Sequence, residues 1–266
     1  MNKMKKLLIT VITSIAAIVC ACAETPADEN KSNNETASET TASVVSETEK
    51  EVTKVDYKAL GKPLVALTFD DGPNTTTTVQ VLDVLEEYGV RGSFFLVGDN
   101  INEQTEAVVK RAYDMGCEIN NHSKTHSYMN QMTAEEISAE VTFVSDKVKE
   151  ITGEGTKFFR PPYIAVNDTM YENIDMPFIA GVGCNDWDNA VSADERAEKT
   201  IEQVKDGTII LLHDSYGNFK TVQALKTIIP ELQAQGYEFV TVSELFEARD
   251  IEISSDDTGL YTHLEK

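Results

Sequence analysis

The sequence predicts an α/β fold in which about seven βα units form a parallel sheet that is closed, or nearly closed, into a barrel with helices outside. Three observations predict this fold. Short apolar runs alternate with longer segments whose apolar residues recur every three or four positions. Helix-start signals precede some of the longer segments. Polar side chains suited to chemistry follow the apolar runs, and the loops after barrel strands are where chemistry concentrates.

Seven short apolar runs are the predicted strands. Most neighbouring runs are separated by enough residues for a helix, and residues 76–88 show helical periodicity between the first two. In chain order the predicted strands are residues 64–69, 92–97, 117–120, 157–159, 178–183, 208–212 and 238–242.

Helix starts carry a recognisable chemical signal in two places. A helical pattern over residues 134–151 is preceded by Thr133, and Glu136 follows three residues later. This is a capping box, in which the two residues satisfy each other's backbone N–H groups. Ser192 followed by Glu195 repeats the pattern before another helix. The sequence therefore predicts helix starts at both positions.

Composition divides the chain into four predicted segments. One stretch is dominated by Ser, Thr, Glu, Asn and Ala with hardly an aromatic residue, so it cannot bury enough apolar surface to offset its chain entropy. The roughly 190 residues after it suit one domain with a sizeable core. The segments are a signal peptide at 1–22, a disordered linker at 23–57, a catalytic domain at 58–250 and a C-terminal tail at 251–266.

The first segment has the pattern of an export signal. Three lysines precede residues 7–19, which carry no charge and are too few to cross the ~30 Å of a bilayer core comfortably. Residues 19–21 before Cys22 fit a lipoprotein box, which predicts a lipid on Cys22 and a lipoprotein on the extracellular side of the cell membrane. Ordinary signal cleavage after Ala23, followed by secretion, is the alternative, and a retained signal anchor is a third.

Charge and cysteine content limit the classes of partner and of scaffold. The formal net charge is −22, which argues against nucleic acid and favours a neutral or cationic polymer. Cys117 and Cys184 lie in apolar strand-like runs, so we expect two buried thiols. One disulfide between them outside the cell is the alternative.

Several polar residues end or follow the predicted strands. Asp70 and Asp71 leave the first strand together, and adjacent carboxylates repel unless a cation or an arginine offsets them. His122 and His126 are four residues apart, a spacing that can direct two imidazoles toward one metal ion. We expect all of these groups to meet at one face of the barrel. The groups after later strands are Arg160, Asp186, Trp187 and His213.

Five motifs give the sequence a family resemblance. It resembles the NodB-like polysaccharide deacetylases, carbohydrate esterase family 4, over about residues 64–246. Each motif alone is weak, whereas all five in the family's order are specific. The motifs are Thr68-Phe-Asp-Asp-Gly-Pro73, His122-Ser-Lys-Thr-His126, Arg160-Pro-Pro-Tyr163, Asp186-Trp187 and Leu211-Leu-His-Asp214.

The resemblance implies a distorted (β/α) barrel and assigns the central chemistry. Asp71, His122 and His126 would hold a divalent metal, and Asp70 would be the catalytic base. Zn²⁺ is the expected ion, with Co²⁺, Ni²⁺ and Mn²⁺ as alternatives. We expect His213 to be the general acid, because an amine leaves slowly unless its nitrogen is protonated and histidine is suited to that task near neutral pH.

Supporting roles are also implied by the resemblance. Asp186 would keep His213 charged, and Arg160 would orient Asp70. The backbone N–H of Tyr163 would help to stabilise the tetrahedral oxyanion. The remaining expectation is an apolar slot for the acetyl methyl group, formed by Trp187 and Leu211.

The implied reaction is hydrolytic removal of N-acetyl groups from N-acetylglucosamine units of a polysaccharide by a monomeric enzyme. Peptidoglycan is the expected polymer, because an anchored, exported enzyme meets the cell wall first. Chitin-derived oligosaccharides and acetylated xylan are alternatives for the same site, and in xylan the bond is an ester that depends less on a strong general acid. Two other classes are a non-catalytic, anchored glycan-binding protein and a non-haem iron oxygenase.

Overall fold

The computed structural model describes residues 55–254 and 259–265. The predicted signal peptide, with Cys22, and the predicted linker as far as residue 54 lie outside the described residues. Within the described part of the chain, no helix combines the length and the apolar character needed to cross a membrane.

Parallel strands form the centre of the fold. The strands are Leu64–Asp70 (β1), Ser93–Leu96 (β2), Glu118–Asn121 (β3), Phe178–Ile179 (β4), Val182–Gly183 (β5), Thr208–His213 (β6), Glu238–Val240 (β7) and Leu260–Tyr261 (β8). The sheet order is β3-β2-β1-β6-β5, and β7 also pairs with β1. Strand β1 is therefore bonded in parallel to three other strands.

Helices follow most of the strands, as a βα fold requires. Two predictions of helices are confirmed, because the segments predicted at 76–88 and 134–151 are helical at nearly those bounds. The capping box at Thr133 is present in full, and the Ser192 hydroxyl accepts the Glu195 N–H. The helices are Thr77–Tyr88 (α1), Glu106–Asp114 (α2), Ala134–Thr152 (α3), Asp168–Asn173 (α4), Ala193–Gln203 (α5), Phe219–Ala234 (α6) and Val242–Ala248 (α7).

The buried strand β1 faces two different cores. Val65, Leu67 and Phe69 join a cluster with apolar residues of α1, α2 and α6, on the helix side of the sheet. Leu64 and Ala66 face a second cluster that includes residues of α7. Because successive side chains of a strand point to opposite faces, the even-numbered positions continue this second face up to the end of the strand, where the site begins.

Three predicted strands were wrong in extent. Residues 157–159 contribute only isolated pairs, which join Phe159 to β3 and β4. The run at 178–183 is interrupted at Gly181, whose φ of 148° is a conformation that side-chain-bearing residues rarely adopt. The last run ends at Val240, because Thr241 caps α7 in a second capping box.

Part of the predicted C-terminal tail belongs to the barrel. Strand β8 pairs with β4, and the backbone after it bonds to the start of β6. The predicted boundary at residue 250 therefore does not mark the end of the fold. A prediction that holds is the state of the cysteines, since Cys117 and Cys184 are free and buried.

Candidate active site

Three side chains at the ends of β1 and β3 form a candidate metal centre. One ligand atom from each of Asp71, His122 and His126 lies within 4.8 Å of the others. Oδ1 of Asp71 is 3.6 Å from Nε2 of His122 and 3.5 Å from Nε2 of His126. One carboxylate and two imidazoles facing a common point are a donor set that suits Zn²⁺ and neighbouring divalent ions. The residues therefore fit the ion that the sequence led us to expect.

Backbone contacts orient these three groups. Nδ1 of His122 lies 2.7 Å from the carbonyl oxygen of Arg160, so it carries the proton and leaves Nε2 as the ligand atom. His126 is held in the left-handed region (φ 56°) by a bond from its N–H to the Ser123 hydroxyl. Burial, followed by the neighbouring His122, lowers the pKa of His126. This favours the neutral imidazole that metal binding requires.

Asp70 is a buried carboxylate held by a buried arginine. Nη1 of Arg160 donates to Oδ1 of Asp70 at 2.6 Å and to the Thr68 hydroxyl at 2.8 Å. The guanidinium also donates to the carbonyl oxygens of Ile179 and Ala180 and lies over the Phe95 ring, 4.1 Å from its centroid. Burial alone would raise the pKa of Asp70, but the charge of Arg160, with smaller contributions from His122 and His213, lowers that pKa below its ordinary value. Asp70 is therefore ionised at neutral pH and ready to accept a proton.

His213 ends β6 beside a second buried carboxylate. Its Nδ1 lies 2.7 Å from Oδ1 of Asp186, and its backbone N–H donates to Oδ2 at 2.7 Å. Burial opposes the charged imidazole, but the hydrogen bond and charge of Asp186 outweigh it and raise the pKa of His213 to about 9. His213 is thus an imidazolium at neutral pH with Nε2 available to give a proton.

The candidate metal centre, Asp70 and the pair of His213 with Asp186 line one cavity of about 540 Å³. Tyr163, Trp187 and Leu211 line it together with the acids and histidines described above, whereas Arg160 is not among the lining residues. Tyr163 has a left-handed backbone (φ 59°), and its ring stacks on Tyr128 at 4.1 Å. The sequence-predicted residues therefore come together, with Arg160 fully buried and bonded to Asp70.

Sequence reasoning missed the polar groups that support the site. Thr221 and Asn218 both reach Oδ2 of Asp186, and their positions in α6 and the turn before it carry no sequence signal for that contact. Asp214 is fully buried against Gly72 and bonds the Thr78 hydroxyl. Burial, with the charges of Asp71 and Asp70, raises the pKa of Asp214 to about 7. Its place after His213 in the fifth motif was the available signal.

A barrel that brings a held carboxylate, an imidazolium and a cation-binding set into one cavity has the acid and base groups of a hydrolase. The sequence profile of the family described as polysaccharide deacetylase matches residues 57–177. The chain belongs to this polysaccharide deacetylase family, a family of esterase and deacetylase hydrolases.

Three similar proteins show how far the likeness extends. A "Bifunctional xylanase/deacetylase" of Pseudobutyrivibrio xylanivorans is 52% identical over 71% of this chain and 31% of its own length. A "Peptidoglycan-N-acetylglucosamine deacetylase" of Bacillus cereus is 36% identical over 68% of this chain and 87% of its own. A family 4 acetyl xylan esterase from Clostridium thermocellum, solved with a cobalt ion, is 40% identical with a TM-score of 0.74, over 76% of this chain and 98% of its own.

These comparisons confirm the predicted family and the distorted barrel of βα units. The likeness to the first curated relatives covers only part of those proteins, because the chain spans between 31% and 40% of their length. The Clostridium esterase shows that a solved relative of this fold binds a cobalt ion.

Proposed function

We propose that this protein is a metal-dependent hydrolase that removes acetyl groups from an acetylated polysaccharide, with acetylated xylan as the favoured polymer. The observation that carries the proposal is the single cavity that Asp70, Asp71, His122, His126 and His213 share. A carboxylate ready to accept a proton faces an imidazolium ready to donate one, on either side of a cation-binding set.

The residues divide the work of hydrolysis among them. A divalent ion held by Asp71, His122 and His126 would supply Lewis-acid chemistry, lowering the pKa of water and polarising an acetyl carbonyl. Arg160 occupies Oδ1 of Asp70, so Oδ2, on the side of His122, accepts the proton of the attacking water.

Protonation of the leaving group is the second task. Nδ1 of His213 is bound to Asp186, so Nε2 delivers its proton to the departing sugar oxygen or nitrogen. Leu211 and Trp187 present apolar surface to the acetyl methyl, and the backbone N–H of Tyr163 supports the oxyanion. These assignments rest on the family resemblance together with the geometry above.

Exposed aromatic rings around the cavity support a sugar polymer as the substrate. Tyr163 and Trp187 line the cavity with 55% and 68% of their surfaces exposed, and Tyr128 extends the surface outward by stacking on Tyr163. Tyr216, in the loop after His213, is 77% exposed. Rings with an apolar face and a polar edge are suited to a ligand that is itself apolar on one side and polar at its rim.

Two considerations favour xylan over peptidoglycan. The relatives named for xylan are 52% and 40% identical to this chain, whereas the peptidoglycan deacetylase of B. cereus is 36% identical. The net charge of −22 also favours a neutral polymer. Peptidoglycan, the polymer favoured by the sequence alone, becomes the second candidate. One observation supports it: a pKa of about 9 at His213 provides the protonated acid that an amine leaving group needs more than an alcohol does.

Export and attachment to the cell membrane through Cys22 remain proposals from the N-terminal sequence. They agree with a substrate that lies outside the cell. A non-catalytic glycan-binding protein is the competing class, and the complete set of acid, base and metal ligands argues against it.

Acetate release from the purified protein tests the proposal. The substrates are acetylated xylan, N-acetylchitopentaose and peptidoglycan, each assayed before chelation, after chelation, and after addition of Zn²⁺ or Co²⁺. Asp70→Asn is the inactive variant, and Asp83→Asn, on the exposed face of α1, is the matched control. We expect metal-dependent acetate release, fastest from xylan. Preference for the N-acetylated polymers would select the second candidate, and no acetate from any substrate by the metal-loaded protein would overturn deacetylation.

A further inference from the structure

Residues 259–264 close the barrel between β4 and β6. Strand β8 pairs with β4, placing Tyr261 opposite Ile179. The Tyr261 carbonyl accepts the N–H of Ala180 at 2.7 Å. On the other side, the N–H of Ile209 donates to Thr262 at 3.1 Å. The segment thus fills the gap between the N-terminal ends of β4 and β6. Further along the sheet, β5 pairs directly with β6.

The closing segment is built into the fold. Leu264 is 2% exposed within the core cluster of the barrel interior, and its N–H donates to the carbonyl of Gly207 at 2.8 Å. Gly207 has a φ of 88°, and a Cβ at this position would lie 1.9 Å from the Leu264 carbonyl oxygen. Nε of Arg249 donates to that same oxygen at 3.2 Å. Such close backbone contact requires glycine at position 207.

The peptide group between Ile179 and Ala180 bonds both to this segment and to Arg160. The carbonyl of Ile179 accepts Nε of Arg160 at 3.2 Å, and the carbonyl of Ala180 accepts Nη2. Arg160 in turn donates to Asp70 at 2.6 Å. A short, continuous series of hydrogen bonds therefore runs from the backbone of Tyr261 to the carboxylate that accepts the proton.

We infer that residues 259–264 are a positioning element of the reaction: they fix Ile179 and Ala180 so that Arg160 holds Asp70 in its reactive orientation. The inference rests on the proposed function. Arg160 is fully buried, and its guanidinium contacts these two carbonyls, the Thr68 hydroxyl, Asp70 and the Phe95 ring, whose centroid is 4.1 Å away. The two carbonyls are the contacts that the segment can move. Displacements of about 1 Å at a reacting group cost up to ~100-fold in rate. The candidate metal ligands follow β1 and β3, whereas the segment bonds to β4 and β6, so we expect metal binding to be independent of the segment.

Graded variants of the full-length protein test the inference. Gly207→Ala pushes the segment away, Leu264→Ala weakens its anchor, and a chain that ends at Ser254 removes it. The matched controls are Gly155→Ala, where a Cβ meets nothing within 4 Å, and a chain that ends at Glu265, beyond the closing segment. For each variant, kcat, KM, metal affinity and melting temperature are measured well below the melting point. NMR follows hydrogen exchange at Nε of Arg160.

We expect the three test variants to lower kcat at least fivefold, with KM and metal affinity within twofold of the unaltered protein and faster exchange at Arg160. Both controls should match the unaltered protein. Unchanged kcat and unchanged Arg160 exchange in Gly207→Ala would overturn the inference. A parallel loss of kcat, metal affinity and melting temperature would also overturn it, because that pattern indicates general destabilisation.

Two further outcomes remain informative. If the chain that ends at Ser254 does not fold, Gly207→Ala and Leu264→Ala decide. If the unaltered protein releases no acetate, the proposed function fails, whereas exchange at Arg160 still decides whether the closing segment holds the guanidinium.

Discussion

Nδ1 of His213 lies 2.7 Å from Oδ1 of Asp186, and Asp186 is almost fully buried. The second oxygen of the same carboxylate accepts the Thr221 hydroxyl at 2.7 Å as well as the His213 N–H. A carboxylate bonded on both oxygens is fixed in its orientation. The orientation of His213 and most of the increase in its pKa therefore depend on Asp186.

Replacing that residue should move the alkaline limit of activity. In Asp186→Asn the imidazole loses its charged partner while burial remains, so the pKa of His213 falls from about 9. We expect the alkaline limb of kcat to shift toward lower pH by roughly 1–2 units, and more loss of rate on N-acetyl than on O-acetyl substrates. Rates from pH 5 to 10 check this, with Asp83→Asn as the control. Superimposable alkaline limbs would show that His213 is not the proton donor.

The same pair predicts how stability depends on pH. Because the pKa of His213 in the folded protein lies above its ordinary 6.5, its stabilising contribution is complete below pH 6.5 and is lost as pH rises through about 9. We expect the free energy of unfolding of the metal-free protein to fall across this range by on the order of 3 kcal/mol. Urea denaturation at pH 6.5 and 9.5 measures the difference. Asp186→Asn should remove most of it, and an equal fall in both proteins would refute the assignment.

Adjacent aspartates should separate metal binding from turnover. Asp70→Asn keeps the three candidate ligands but removes the proton acceptor, so we expect metal content near normal and kcat lowered at least about 100-fold. Asp71→Ala removes a ligand, so both metal and activity should be lost. Metal analysis after dialysis, alongside acetate release, distinguishes the two variants. Near-normal turnover by Asp70→Asn would mean that another group is the base.

Gly72 offers a test of the turn that carries both aspartates. A Cβ at Gly72 would lie 2.5 Å from Oδ2 of the buried Asp214, so Gly72→Ala must displace the turn or the carboxyl. We expect the variant to be destabilised by about 2 kcal/mol or more and to bind metal more weakly. Gly155→Ala, at an open position, should change neither property. Thermal unfolding measures the stability, and metal titration measures the affinity. If Gly72→Ala changes neither, the close packing of Gly72 against Asp214 is contradicted.

The two cysteines should be unreactive in the folded protein. Cys117 and Cys184 are buried, and burial raises the pKa of Cys117 to about 11, so little thiolate forms at neutral pH. We expect a thiol reagent at pH 8 to label neither described cysteine until denaturant is added, when both react. Rapid labelling of the native protein would show that one of them is accessible.

The strands and helices that could be predicted are those marked by a pattern within a few neighbouring residues. Apolar runs located β1, β2, β3 and β6 to within about one residue, because these strands are buried and their neighbours are polar or helical. Convergence of the site residues followed from the rule that parallel strands in a barrel end at one face. Capping boxes predicted two helix starts because their bonds lie within four residues of one another.

The unpredicted part depends on distant contacts. Strand β8 has two residues and is too short to show any periodicity. It forms because backbone N–H groups at the ends of β4 and β6 that lie away from the site bond to this segment. The break at Gly181 reflects the Leu211 side chain packed against it. Thr221 reaches Asp186 only because α6 packs beside β6, and no local pattern reveals such a hydrogen bond.

The groups for the two chemical tasks come from different stretches of the chain. The residues that would hold the cation or accept the proton of water lie within residues 57–177, the stretch that the family profile matches, whereas the proposed proton donor and its partner come later, at 213 and 186. Demand for a strong acid separates amide from ester substrates. Substitutions around residues 186 and 213 should therefore change the preference between amide and ester substrates while leaving the candidate cation ligands unaltered.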